Sequence, residues 1–182
     1  MPHPPCNAAA EPEIEVLIDV AIDVLVDAQL WQALPDAEDI VRRAIELAAD
    51  GRVLAHHRGG AIAVLLCDDA AIAELNSRWR SRDRPTNVLS FPAPPPLAPP
   101  GPFLGTPLGD IAIAYETVAR EAGEQGKTVA DHLAHLAVHG FLHLMGYDHH
   151  IEIEAERMER LERDILARIG IADPYASRDV EI

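Results

Sequence analysis

Apolar residues recur along the chain with two periods. Ile14-Glu15-Val16-Leu17-Ile18-Asp19-Val20 roughly alternates, which predicts a first strand. A connector follows at 31–34. Pro35-Asp36 then predicts a helix start with Asp36 as N-cap. Ile40, Val41, Ala44, Ile45, Leu47 and Ala48 give a helical stripe that stops near Asp50-Gly51. The near-continuous apolar run 61–67 predicts a strand buried on both faces. Asp68-Asp69 cap a helix over about 70–79 that turns Ile72 and Leu75 inward. Runs 88–91 and 108–114 predict two more strands, and Tyr115-Glu116 opens a helix toward Gly123 and Gly126. Thr128-Val129-Ala130-Asp131, a T-x-x-D start close to a capping box, begins the next helix. A last helix over about 151–169 alternates Glu and Arg above a stripe of Ile153, Met158, Leu161, Ile165 and Leu166.

The predicted order is β, α, β, α, β, β, α, α, α. It predicts an α/β (α+β-like) single domain: a small mixed sheet of four strands with helices on its faces. At 182 residues the chain is long enough for one sizeable core. Residues 1–12, rich in Pro and Ala, read as a disordered extension, 13–172 as the domain and 173–182 as a loose tail. Seven prolines within 92–102 rule out helix or sheet interior there and predict a surface loop between two strands.

Charge changes the picture. The formal net charge is −15, which excludes a general nucleic-acid binder with a broad basic footprint. Any polyanion must be met by a local basic patch, a metal ion or a partner. One sign reversal exists: Arg78, Arg80, Arg82 and Arg84 place four guanidiniums within seven residues. No apolar run approaches the ~20 residues of a membrane helix. Met1-Pro2-His3-Pro4-Pro5 lacks the basic and apolar regions of a secretory signal, and two cysteines, Cys6 and Cys67, are too few for a disulfide framework. These features point to the cytoplasm, with no membrane partner.

The chemistry concentrates in His139-Gly140-Phe141-Leu142-His143-Leu144-Met145-Gly146-Tyr147-Asp148-His149. On a helix, His139 and His143 lie one above the other, roughly 6 Å apart along the axis. Gly146 stands where a helix end takes a left-handed residue, and a turn there swings His149 back toward the pair. Three imidazoles suit one Zn²⁺ per chain and leave a fourth position for water; Ni²⁺ accepts the same ligands. His132, His135, His139 and His143 fall within about 80° of each other around the helix at ~100° per residue. His135 reads as a residue behind the ligands or in the cleft, and His132 as rim. Asp148 either orients an imidazole or caps the last helix. Gly140 stands where H-E-x-x-H proteases carry their Glu base, so that chemistry is disfavoured.

This stretch resembles the H-G-x-L-H-L-x-G-Y-D-H signature of the YbeY family of bacterial ribosome-associated metallo-endoribonucleases. Leu75-Asn76-Ser77-Arg78-Trp79-Arg80 with Pro85-Thr86-Asn87-Val88-Leu89-Ser90-Phe91-Pro92 resembles that family's second motif. Leu108-Gly109-Asp110-Ile111 resembles its L-G-D-I strand, and the tail from Glu154 to Asp173-Pro174-Tyr175 also fits. The resemblance implies His139, His143 and His149 as metal ligands. It also implies that Arg80 faces the cleft as a catalytic residue that stabilises charge on phosphate, a task suited to a guanidinium.

The function implied is a single-strand-specific, zinc-dependent endoribonuclease. It would act in 16S rRNA 3′-end maturation and ribosome quality control, with ribosomal small-subunit components as partners and no DNA. The general base stays open among water activated by the ion, the substrate 2′-hydroxyl, and a water held by His135 as a second catalytic residue. Two alternatives share the same residues: a ribosome-associated binding module whose metal is structural, and a metal-dependent hydrolase of another substrate.

Overall fold

The computed structural model describes residues 20–49, 53, 60–94 and 106–176. Four strands, β1 (Val20–Val26), β2 (Gly60–Cys67), β3 (Val88–Pro92) and β4 (Pro107–Ala114), form one sheet in the order β1-β2-β4-β3. β1, β2 and β4 run parallel, and β3 pairs antiparallel with β4 at the edge. The helices are α1 (Ala37–Ala48), α2 (Asp69–Arg80), α3 (Tyr115–Glu124), α4 (Val129–Leu144) and α5 (Glu152–Ala167). The order of elements matches the pattern of the sequence.

Three features differ from expectation. The first strand begins at Val20, where the predicted one ends; residues 14–19 lie outside the described residues. Within it, Ile22 and Val24 face the main core beside Ile62 and Val64 of β2. The connector at 31–34 lies largely in a 3-10 turn, Gln29–Ala33, that buries Trp31, whose Nε1–H donates to the Cys67 carbonyl at 3.0 Å. Ile153, expected on the buried stripe, is 71% exposed. It lies five residues before Met158, about 140° away around the helix at ~100° per residue. The expected extension 1–12 and most of the proline-rich loop fall outside the described residues.

Alternation in the strands assigns the two faces. Ile62, Val64 and Leu66 of β2 and Ile111 and Ile113 of β4 join the larger core with α1, α4 and α5. Cys67, Leu89, Ala112 and Ala114 face the other way and pack with Ile72 of α2. Among the described residues α2 is the helix that covers one face, and the histidine helix α4 lies on the opposite face. Asp68 caps α2 by accepting from the Ala71 amide at 2.8 Å.

α4 is fixed at both ends and in the middle. Thr128 Oγ1 accepts from the Asp131 amide at 3.0 Å, as its T-x-x-D start predicts. Midway, Ser90 of β3 donates to the Gly140 carbonyl at 3.1 Å. A Cβ on Gly140 would stand 3.0 Å from Ile111 Cγ2 and 3.2 Å from Ser90 Oγ. This residue is glycine because helix and sheet touch there.

Candidate metal centre

The end of α4 brings the third histidine to the first two. Gly146 adopts φ +84°, a left-handed conformation that glycine takes at no steric cost. The Tyr147 amide donates to the Leu142 carbonyl, and the Gly146 amide to the His143 carbonyl, both at 3.0 Å. These two bonds form a Schellman motif. The chain reverses, and the His149 ring comes to 5.0 Å from that of His143 and 5.5 Å from that of His139. One ring nitrogen from each of His139, His143 and His149 lies within 4.8 Å of the others. His139 Nε2 and His143 Nε2 are 3.1 Å apart.

The tautomer of His139 follows from its other nitrogen. Glu162 of α5 is fully buried, and its Oε1 lies 2.8 Å from His139 Nδ1. Burial alone raises a carboxyl pKa, but hydrogen bonds and charge from His135 and His139 outweigh it and hold Glu162 at about 2. An ionised carboxylate only accepts, so His139 carries its proton on Nδ1 and turns the Nε2 lone pair toward His143. Burial, then the neighbouring His139 and His149, lower His143 to about 4, so its imidazole is neutral at pH 7.

The donor set fits a metal ion. Nitrogens bound tetrahedrally at ~2.0–2.1 Å from a centre stand about 3.3 Å apart, close to the observed His139–His143 separation. A lone pair aimed at a second imidazole nitrogen is favourable only with a proton or a cation between them. The buried carboxylate behind His139 is the arrangement that orients metal-binding imidazoles.

Glu162 engages more than His139. Its Oε2 accepts from the Tyr175 hydroxyl, and His135 Nε2 lies 3.4 Å from that Oε2 and 3.4 Å from the Tyr175 hydroxyl oxygen. His135 is therefore bound to Glu162 one helical turn behind His139, and its buried Nδ1 has no hydrogen-bond partner among the described residues. Tyr175 lies past the expected domain boundary at 172 and is only 8% exposed. Lys127 Nζ donates to the Pro174 carbonyl at 2.7 Å, and Arg163 pairs with Asp173 at 3.1 Å. These bonds bring the segment against the site.

His132, expected on the rim, is 3% exposed. Its Nε2–H donates to Glu121 at 2.9 Å, and the same carboxylate oxygen accepts from Asn87 Nδ2 at 2.9 Å. Glu121 thereby ties the start of β3 to the histidine helix. Among the described residues, Asp148 neither caps the last helix nor bonds the ring of His139, His143 or His149. Its Oδ1 accepts from the His149 amide at 2.7 Å and its Oδ2 pairs with His150 at 3.1 Å. Ile151 occupies the N-cap position of α5. Asp148 thus fixes the backbone of His149, and that amide bond, with a smaller effect of nearby histidines, lowers the carboxyl pKa.

Arg80 stands exposed at the C-terminus of α2. Among the described residues it lines neither of the grooves that hold His139, one toward Met158 and Glu162 and the other between Asn87 and Tyr175.

Glu162, Tyr175 and Glu121 were not singled out from the sequence. For Glu162 a signal exists. It lies four residues after Met158 and three before Ile165, so the α5 stripe runs straight through it.

The family model described as Endoribonuclease YbeY matches residues 27–170. An Endoribonuclease YbeY of Bradyrhizobium sp. strain BTAi1 is 57% identical over 161 residues, covering 86% of this chain and 93% of its own. One of Rhodopseudomonas palustris strain BisA53 is 56% identical over 159 residues, covering 87% and 92%. A solution structure from Thermotoga maritima is 23% identical with a TM-score of 0.49, covering 82% of this chain and 91% of its own. Signature, histidine geometry, the family model and the two relatives above 50% identity agree: the chain belongs to the YbeY family of endoribonucleases.

Proposed function

We propose that the chain is a zinc-dependent endoribonuclease specific for single-stranded RNA. Its substrate is the 3′ end of 16S rRNA, and it works in the cytoplasm with components of the small ribosomal subunit in rRNA maturation and quality control. The family membership supports endoribonuclease activity. The observation that carries the metal dependence is the convergence of His139, His143 and His149 nitrogens within 4.8 Å. Among the described residues no helix is long and apolar enough to cross a membrane.

His139, His143 and His149 hold the ion. When bound, it polarises a phosphoryl oxygen and makes water nucleophilic near neutral pH. Glu162 keeps the His139 proton on Nδ1, away from the ion. His135 and Tyr175 hold the far oxygen of Glu162, so in this reading His135 acts through Glu162. Arg80 receives the charge that develops on the phosphate, through bidentate hydrogen bonds. The family motif around Arg80 supports that role; an Arg80→Ala protein with full metal content that cleaves at the wild-type rate overturns it.

The test is elemental analysis together with cleavage of a labelled single-stranded RNA by doubly purified wild type and His143→Ala. One Zn²⁺ per chain, and cleavage lost in a variant of unchanged circular dichroism, is the expected result. Cleavage that persists in the variant overturns the proposal.

A further inference from the structure

We propose that Trp79 and Phe91 form a stacking platform for a base of single-stranded RNA, flanked by the guanidiniums of Arg78, Arg80, Arg82 and Arg84. This rests on the proposal that RNA is the substrate. Trp79 is 66% exposed, and its ring lies 6.0 Å from that of Phe91 at 59°. A large indole held open to solvent loses the burial that aromatic side chains ordinarily gain. It sits where the chain reverses its charge. Residues 78–84 hold four arginines and one acidic residue, Asp83, in a chain of net charge −15. All four arginines are exposed. An aromatic face interleaved with arginines is the chemistry that binds single strands, with rings for bases and cations for phosphates.

The patch is built, not loose. Ser81 takes a left-handed conformation, φ 54°, and its amide donates to the Ser77 carbonyl at 3.1 Å. Asn76, 3% exposed, donates to the Arg84 carbonyl at 2.7 Å, and Ser77 Oγ donates to Asp83. The turn also leads to the metal centre. Asn87 follows Arg84 by three residues, so their Cα atoms are at most about 11 Å apart. Asn87 lines the same groove as His135 and His139. Trp79 and Phe91 lie on the α2 side of the sheet and the histidines on the other, so a strand passing the histidines and Asn87 turns round the β3 edge at the arginine turn before a base reaches Trp79.

The test uses the full, metal-loaded chain and two fluorescent oligomers with 2′-O-methyl backbones: one of uridines and one of equal length without bases. Stacking is worth ~1–3 kcal/mol per base, so Trp79→Ala is expected to weaken uridine-oligomer binding roughly fivefold to 150-fold. It leaves the abasic oligomer unaffected, and Trp79→Phe keeps most of the affinity. A second readout needs no variant. Trp31 is buried, so iodide quenching reports Trp79, and the uridine oligomer protects it while the abasic one does not.

Equal affinity of wild type and Trp79→Ala for the uridine oligomer overturns the platform, as does an equal loss on both oligomers. A variant that changes only the sedimenting mass also overturns it, and assigns the patch to self-association. Cleavage of natural RNA by wild type separates the two proposals. A protein that cleaves but shows no base-dependent contribution from Trp79 keeps the function without the platform; one that neither cleaves nor binds loses both.

Discussion

Glu162 on α5 accepts the Nδ1 proton of His139 on α4 at 2.8 Å, and it does so from a fully buried position. Both oxygens are used, since Tyr175 and His135 engage the second. An ionised group at zero exposure is tolerated only when its partners replace water. Here the partners are all donors, and one of them presents a candidate metal-binding nitrogen on its far side.

Glu162→Gln tests that connection. The amide keeps the volume, but its NH₂ must face either the His139 Nδ1–H or the Tyr175 hydroxyl and His135. Loss of a carboxylate behind a metal-binding imidazole typically costs 10–100-fold in affinity. Competition with a chromophoric chelator is expected to show weaker Zn²⁺ binding by about that factor. An unchanged dissociation constant with unchanged circular dichroism would mean that Glu162 serves the packing of α5 alone.

The contrast between His143 and Glu162 shows what the sequence makes legible. The histidine spacing and Gly146 define a local object, a helix face with its reversal, and local periodicity is readable. Glu162 belongs to a helix whose Glu-Arg alternation reads as a solvated face. Its burial depends on α4 lying across α5, a tertiary contact. The position of Glu162 on the Met158–Ile165 stripe carries that information, but only once an acidic residue on an apolar stripe is taken as a partner for buried donors. Tyr175 fits the family tail but has no periodic signal of its own, because it reaches the site through a turn held by Lys127 and Arg163. Arg80 is the reverse case. Motif likeness singles it out and the predicted helix over about 70–79 ends beside it, but which groove it faces is set by tertiary packing that local pattern does not carry.

Cys67 is fully buried at the end of β2, and burial, then the charge of Asp68, raises its thiol to about 12. At pH 8 the thiolate is then only about one molecule in ten thousand, and the thiolate is the reactive form. In a Cys6→Ser protein, a maleimide reagent is expected to label Cys67 only after denaturant is added. Stoichiometric labelling of the native protein within minutes at pH 8 would contradict this burial.

His132 makes stability depend on pH in a defined direction. Burial first, against the opposing Glu121 bond, lowers its pKa below the ordinary value of about 6.5. Glu121 of α3 faces it, as do His135 and Lys127. Because the folded pKa is lowered, the unfolded chain takes up a proton first as pH falls. The contribution is complete above about 6.5 and shrinks below it until the folded His132 is also protonated. A His132→Gln variant lacks this titration. Urea denaturation at pH 7.5 and 5.5 is expected to show the wild-type advantage over the variant shrinking at the lower pH. A constant or growing advantage would reverse the sign and refute the assignment.

Gly140→Ala sets two effects against each other. Alanine is favoured over glycine within a helix by about 1 kcal/mol. The new Cβ, however, would lie 3.0 Å and 3.3 Å from two carbons of Ile111 and 3.2 Å from Ser90 Oγ. Neither neighbour yields easily. Ile111 is 1% exposed in the strand between β2 and β3, and Ser90 Oγ is bonded to the Gly140 carbonyl. Overpacking of that kind costs about 1–3 kcal/mol, so the packing loss outweighs the helical gain. Urea denaturation is expected to show a net loss of up to about 2 kcal/mol. Displacement of α4 also shifts His139, the adjacent residue, and Zn²⁺ affinity falls with stability. Gly140→Glu is expected to lose both further without gaining peptidase activity, because its carboxylate would be driven into the sheet, away from the histidine face. A Gly140→Ala protein as stable as wild type would show that α4 can lift from β4 without cost, and the packing explanation of this glycine would fail.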